Sequence, residues 1–237
     1  MMLFIKNNLA NLLTLLNLGA GTVCVIALLD GNYTLAAICL IVSLVMDFFD
    51  GFVARLLKAD SALGIQLDSL ADMVSFGVVP GIAMYLMLSP FQHQFLNVEL
   101  PFEVKYIGLL ITLFSCLRLA IFNIDTEQAY YFKGLNTPTN TLLIFSLAHL
   151  AHQYDAMVIT GNAAYLVFIT LLSSYLLVSP IKMIALKFKS LRIKDNIPKL
   201  VLLAGCVLLI FMFGLAGIPL SVVYYVLVSL VFQRQFN

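Results

Sequence analysis

The sequence predicts an all-α fold, a polytopic bundle of membrane-spanning helices, and three observations carry that reading. Of 237 residues, 62% are hydrophobic and 11% are charged, against about 25% charged in a soluble domain. The apolar residues gather into runs of membrane-crossing length, broken by short polar segments. Lysine and arginine concentrate on alternate breaks.

Eight runs qualify, at roughly 15–27 residues against about 20 for an upright helix. They cover 9–29, 33–56, 62–88, 104–123, 138–152, 161–178, 198–215 and 217–232. The first follows Lys6 as a signal peptide would. It lacks an A-x-A cleavage pattern, Gly21-Thr22-Val23-Cys24 is a poor lipoprotein box, and Asn11, Thr14 and Asn17 interrupt it. It therefore reads as an uncleaved first span. The second and third are joined by a turn around 57–62 and carry the acidic residues discussed below. The fourth ends near Arg118, and the fifth is short. Only Leu215-Ala216-Gly217-Ile218-Pro219 separates the last two, which makes them a hairpin. The expected division is a membrane domain over 1–196 and a C-terminal transmembrane hairpin over 197–237, packed on the same domain.

With the N-terminus inside, the cytoplasmic segments hold Lys6, Arg55, Lys58, Arg118, Lys133, Lys182, Lys187, Lys189, Arg192, Lys194, Lys199 and Arg234. Lys105 falls outside, with Asp30, Glu99, Glu103 and Asp155. That asymmetry places both termini in the cytoplasm. Segment 181–194, IKMIALKFKSLRIK, reads either as an interfacial helix on anionic lipid or as an ordinary basic loop. The near balance of 13 basic and 12 acidic residues, with no basic stripe interleaved with aromatics, gives no sign of nucleic-acid binding. Cys24, Cys39, Cys116 and Cys206 lie singly in apolar runs and read as small packing residues. His93, His149 and His152 fall near the outer surface and receive no role.

Function is concentrated in Asp47-x2-Asp50-Gly51-x2-Ala54-Arg55-x8-Gly64-x3-Asp68-x3-Asp72. Asp47, Asp50, Gly51 and Ala54 share one helical face, as do Gly64, Asp68 and Asp72 on the next span. The turn between them lies on the cytoplasmic side, so the two carboxylate faces meet about two helical turns below that surface. Carboxylates at such depth are costly and repel one another. Hard divalent cations with oxygen ligands relieve both problems, and the geometry suits two ions held by shared carboxylates. Gly51, Ala54 and Gly64 leave a groove, and Arg55 sets a planar cation at its mouth. That is equipment for phosphoryl transfer, with Asp72, at the far end of the set, as the base. The competing reading is a carboxylate-lined ion or proton pathway. The register of two glycines, an alanine and an arginine with the four acids speaks against it.

This pattern resembles the signature of the CDP-alcohol phosphotransferase family at every fixed position. Asn11-Leu-Leu-Thr14-Leu-Leu-Asn17 resembles the family's first-helix P-N-x-x-T-x-x-N. Asp68-Ser-Leu-Ala-Asp72-Met-Val-Ser75-Phe-Gly77, Arg118-Leu-Ala-Ile-Phe-Asn123, Phe132-Lys133-Gly134-Leu-Asn-Thr137-Pro138 and Ser179-Pro-Ile-Lys182 are similar to its phosphatidylserine synthase branch. The similarity covers roughly 8–192. Ala10 stands where the family favours proline, Ile121 replaces a second arginine, and Asn136 replaces a proline.

The resemblance implies a six-helix core, a homodimer, and Mg2+ or Mn2+, held by Asp47, Asp50, Asp68 and Asp72. Asp72 is implied as general base as well. Gly51, Ala54, Arg55 and Gly64 are implied as nucleotide and diphosphate contacts. Asn11 and Thr14 either join them or make interhelical hydrogen bonds. The expected donor is CDP-diacylglycerol and the expected acceptor L-serine, with glycerol 3-phosphate or inositol phosphate as alternatives. Arg118 is the first choice for the serine carboxylate, followed by Lys133, Asn123 and Ser75. Arg118 and Lys133 read otherwise as snorkelling residues that set topology. The expected location is the inner membrane of the cell, with the site on the cytoplasmic side.

Overall fold

The computed structural model describes the backbone of residues 2–57, 61–96, 98–125, 131–154, 161–185 and 196–233, with side chains from residue 8 onward. Nine α-helices are present among them: α1 (Met2–Leu29), α2 (Tyr33–Leu57), α3 (Ala62–Asp72), α4 (Val79–Leu88), α5 (Leu110–Ile124), α6 (Thr137–Tyr154), α7 (Ala163–Val178), α8 (Ile197–Phe213) and α9 (Gly217–Val231). Each expected span matches a helical segment to within a few residues, except that α1 begins at Met2. The expected acidic, basic and turn positions Lys6, Lys58, Asp155, Lys187, Lys189, Arg192, Lys194 and Arg234 lie outside the described side chains.

Five stretches are long and apolar enough to cross a membrane: Asn8–Leu29, Tyr33–Leu57, Ala62–Phe91, Val104–Ile124 and Ile197–Val231. The last contains both α8 and α9. Ala163–Val178 is a shorter apolar helix. Large apolar side chains such as Ile41, Phe48, Leu113, Phe168 and Phe211 stand on the outside, a surface suited to lipid and not to water. The chain is a multi-pass membrane protein.

Turn chemistry punctuates the bundle. Gly31, at φ +72°, closes the turn after α1, and Asn32 accepts from the Leu35 amide to start α2. Ser61 caps α3 by accepting from Gly64 N at 3.0 Å, and Asn162 caps α7. Asn136, which replaces a proline of the resembled family, accepts from Thr139 N at 2.9 Å and opens α6. The reversal before α9 falls at Gly214–Ala216, slightly earlier than expected, because Gly214 takes φ +55°. Tyr224 OH donates to Val201 O and Ser221 Oγ to Cys206 O, so α8 and α9 run antiparallel as a hairpin.

The third expected span is not one regular helix. Between α3 and α4 lies a π-helical stretch, Met73–Val78. Its widened turn frees backbone carbonyls for side chains on other helices. Phe76 O accepts from Thr141 and Gly77 O from Thr112, so α6 and α5 are fastened to the segment directly after Asp72.

The main core joins α1, the π-helical stretch, α4, α5, α6 and α7 through Cys24, Leu28, Phe76, Met84, Ile111, Ile144 and Leu166. A smaller core joins the hairpin to two short strands. These are β3 (Tyr131–Lys133) and β4 (Lys182–Ile184), antiparallel, with Tyr131 opposite Ile184 and Lys133 opposite Lys182. An interfacial helix over 181–194 is thus corrected at its described start, where the chain is extended and paired with residues 131–133. Residues 186–194 lie outside the description. Strands β1 (Gln94–Phe95) and β2 (Val98–Glu99) form a small ribbon at the other end of the bundle. There Lys105 pairs with Glu103 at 2.6 Å, and Tyr33 stacks on His152 at 4.3 Å between centroids.

Helix α1 lies close against the π-helical stretch at Gly21. A Cβ there would lie 2.8 Å from the Ser75 Cα, whereas one at Gly19 would meet nothing within 4 Å. Gly21→Val is therefore expected to destabilise the protein by about 1–3 kcal/mol through overpacking, and Gly19→Val to leave it nearly unchanged. Thermal unfolding in detergent of the two variants beside the parent checks this.

Candidate active site

Asp47 and Asp50 project from the last turns of α2, and Asp68 and Asp72 from α3. One carboxylate oxygen from each of Asp47, Asp50 and Asp68 falls within 4.8 Å of the others. Asp50 is buried, and its Oδ2 has no hydrogen-bond partner among the described residues. A buried, unpaired carboxylate oxygen beside two further carboxylates is unstable without a cation. The donor set is all hard oxygen, as Mg2+ or Mn2+ requires. The residues present fit a divalent metal.

Asp72 stands beside this trio. Asn17 Nδ2 donates to its Oδ1 at 3.1 Å. Asn17 is itself fixed from both sides, since its backbone carbonyl accepts from Ser43 Oγ and Ser75 Oγ, each at 3.1 Å. Helices α1, α2 and the π-helical stretch thus converge on one asparagine. Sequence reading placed Asn17 in the first-helix pattern but gave it no role. The signal available was its position three residues after Thr14, on the same face of an apolar helix, and Ser43 similarly lies one turn before Asp47.

A cavity of about 220 Å³ opens next to the carboxylates, lined by Ala10, Asn11, Thr14, Asp50, Gly51, Ala54, Arg55, Ser61, Gly64, Ile65 and Asp68. All six positions expected to contact a nucleotide or diphosphate are in that lining. The Arg55 guanidinium lies over Gly51, where a Cβ would sit 3.3 Å from Nη1. Asn11 Oδ1 would be 3.5 Å from a Cβ on Gly64. Thr14 Oγ1 donates to Ala10 O at 3.1 Å and also stands within reach of Asp50, so its single proton serves one acceptor at a time.

A second cavity of about 290 Å³ is lined by Arg118, Ile121, Phe122, Asp125, Lys133, Leu177, Val178, Ser179 and Pro180. Arg118 is buried, lies 4.9 Å over the Phe122 ring, and feels the negative charge of Asp72. Lys133 Nζ is 3.0 Å from Asp125. Gly134 shapes the wall: its φ is +74°, and a Cβ there would meet the Leu176 carbonyl oxygen at 2.9 Å. The remaining expected acceptor contacts lie elsewhere. Asn123 Nδ2 donates to Ser69 Oγ at 2.8 Å, beside Asp68. Ser75 is fully buried with its proton on the Asn17 carbonyl, and it lines neither cavity.

Helices carrying clustered acids beside a basic-mouthed cavity define a membrane enzyme of phosphoryl-transfer type. Residues 7–172 match the family model for CDP-alcohol phosphatidyltransferases, and the chain belongs to that family. A CDP-diacylglycerol–serine O-phosphatidyltransferase of Helicobacter pylori is 27% identical over 223 residues, covering 93% of this chain and 89% of the relative. An enzyme of the same name from Bacillus subtilis is 31% identical, covering 74% and 89%. An archaetidylserine synthase of Methanothermobacter thermautotrophicus is 34% identical, covering 58% and 56%.

Filling the first cavity tests its part in the reaction. Ala54→Phe is expected to abolish transfer from a CDP-alcohol donor while leaving the melting temperature within a few degrees of the parent, because residue 54 faces open space in the cavity. Release of CMP, measured beside thermal unfolding, checks both halves.

Proposed function

We propose that the protein transfers the phosphatidyl group of CDP-diacylglycerol to the hydroxyl of L-serine, giving phosphatidylserine and CMP. The observation that carries this reading is a pair of cavities on helices fastened together at the π-helical stretch that follows Asp72, which itself lines neither. One is lined by the small residues and Arg55 of the family signature, and the other by Arg118, which faces Asp72 electrostatically. The names of the three relatives all specify serine or a serine lipid, which supports that acceptor over a phosphorylated one.

Asp47, Asp50 and Asp68, with Asp72 beside them, would hold the divalent cation or cations. When bound, the metal neutralises diphosphate charge and favours departure of CMP. Asn11, Thr14, Gly51, Ala54, Arg55 and Gly64 receive the nucleotide and diphosphate, and Arg55 supplies a planar cation to the phosphate oxygens. Arg118 offers its guanidinium to the serine carboxylate, with Lys133 behind it. Asn123 steadies α3 through Ser69, and Ser75 fixes Asn17. Asn17 holds Asp72 in place. The serine hydroxyl oxygen attacks the phosphorus that carries the diacylglycerol, Asp72 takes the hydroxyl proton, and the phosphorus–oxygen bond to CMP breaks. The donor's acyl chains stay in the bilayer throughout, which explains a site built inside membrane helices.

The same reading puts the site and both termini on the cytoplasmic side of the inner membrane, following the lysine and arginine distribution. It takes residues 1–196 as the catalytic membrane domain and 197–237 as a hairpin added to it, and it takes the working form as a homodimer.

Purified protein is expected to release CMP from CDP-diacylglycerol only when serine and Mn2+ or Mg2+ are both supplied, and to stop when chelator is added. Release with glycerol 3-phosphate or inositol phosphate, and none with serine, overturns the acceptor. Asp72→Asn should lower turnover by about 10²–10⁴-fold while CDP-diacylglycerol still binds. Ion flux through reconstituted protein without CMP release would point instead to a carboxylate pathway.

A further inference from the structure

We infer that the C-terminal hairpin braces the acceptor cavity from outside its lining, with Tyr225 and Ser229 of α9 as positioning residues that clamp strand β4. The inference rests on the proposal above that the Arg118 cavity receives the acceptor.

Two side chains one helical turn apart on α9 hold a single residue of β4. Tyr225 OH donates to Ile184 O at 3.0 Å, and Ile184 N donates to Ser229 Oγ at 3.2 Å. Both side chains are buried. The backbone donor and acceptor of Ile184 are therefore both taken by the hairpin. A two-stranded ribbon of three residues a side does not hold itself together, and β3–β4 is such a ribbon. Its outer edge is fastened by α9.

What the ribbon carries explains why this matters. Lys133 ends β3, opposite Lys182, and lines the acceptor cavity with Asp125 and Arg118. Phe132, next to Lys133 on β3, packs into the hairpin core and against Phe122, whose ring lies under the Arg118 guanidinium. The route from α9 to the cations of the cavity thus runs through the ribbon: to Lys133 on β3, and by way of Phe132 and Phe122 to Arg118. The family match ends at residue 172, so this bracing comes from a segment outside the matched region.

The test uses full-length purified protein with Tyr225→Phe, Ser229→Ala and the double substitution. Tyr224→Phe serves as control, since that hydroxyl bonds only within the hairpin, to Val201 O. The parent first establishes which acceptor releases CMP. Each clamp variant is expected to raise the KM for that acceptor about threefold, and the double variant about tenfold, with the KM for CDP-diacylglycerol unchanged. Hydrogen exchange should quicken at 131–133 and 182–184 and stay constant in 33–57. The inference fails if acceptor KM and ribbon exchange do not move. It also fails if both KM values and the melting temperature shift together, or if Tyr224→Phe has the same effect as Tyr225→Phe. A parent that uses another acceptor defeats the serine assignment alone, and the clamp is then judged on that acceptor's KM.

Discussion

The architecture depends on keeping acidic side chains crowded where hydrocarbon surrounds the protein. A carboxylate at mid-membrane costs about 2.5–3.5 kcal/mol even by the mildest scale. Here three of them bring oxygens within 4.8 Å of one another. Their mutual repulsion would push α2 and α3 apart unless other contacts fixed those helices. Helix α1 supplies that restraint. Gly21 lets it lie against Ser75, and the Asn17 carbonyl ties it to Ser43 of α2 and to Ser75. The same residue extends its amide to Asp72. The acidic cluster is thus held by a neutral scaffold, and its charge is left for a cation to balance.

The two cavities divide the chemistry along that scaffold. The first is bounded by α1, α2 and α3 and mixes small residues with Arg55. The second is bounded by α5, α7 and the segment around Lys133, and its polar wall is mainly cationic. The π-helical stretch connects them. By turning Phe76 O and Gly77 O toward α6 and α5, it locks the helix carrying Asp72 to the helix carrying Arg118. The irregularity lies directly after Asp72 and ties helices of both cavities together.

Much of this was legible in the sequence because helical periodicity and side-chain size are local properties. The spacing of Asp47, Asp50, Gly51 and Ala54 dictated one face, and all the small residues on it do line a cavity. Helix bounds followed from where the apolar runs break, and in the structure Ser61 and Asn162 cap two of the helices near those breaks. Ser75 shows where local reading stops. Its place in a family-like motif suggested substrate contact, but the π-helical turn rotates it onto α1, and nothing in the spacing announced that turn. The ribbon of 131–133 with 182–184 was equally hidden, since its partners are some fifty residues apart and neither is strand-like alone. The importance of Tyr225 followed only once that ribbon was seen.

Helix α6 carries Thr137, Asn140, Thr141 and Ser146 buried in the bundle, and it is absent from the stretches apolar enough to cross by themselves. Asn140 Oδ1 and Nδ2, Thr137 Oγ1 and, on α7, Ser174 Oγ have no partner among the described residues. Such a segment gains little from lipid on its own, and its polar atoms are tolerated only when sheltered by neighbours. Biogenesis is constrained accordingly. α6 packs chiefly on α4, made before it, and on α9, made after it, so its stable place in the bilayer depends on partners from both sides of the chain.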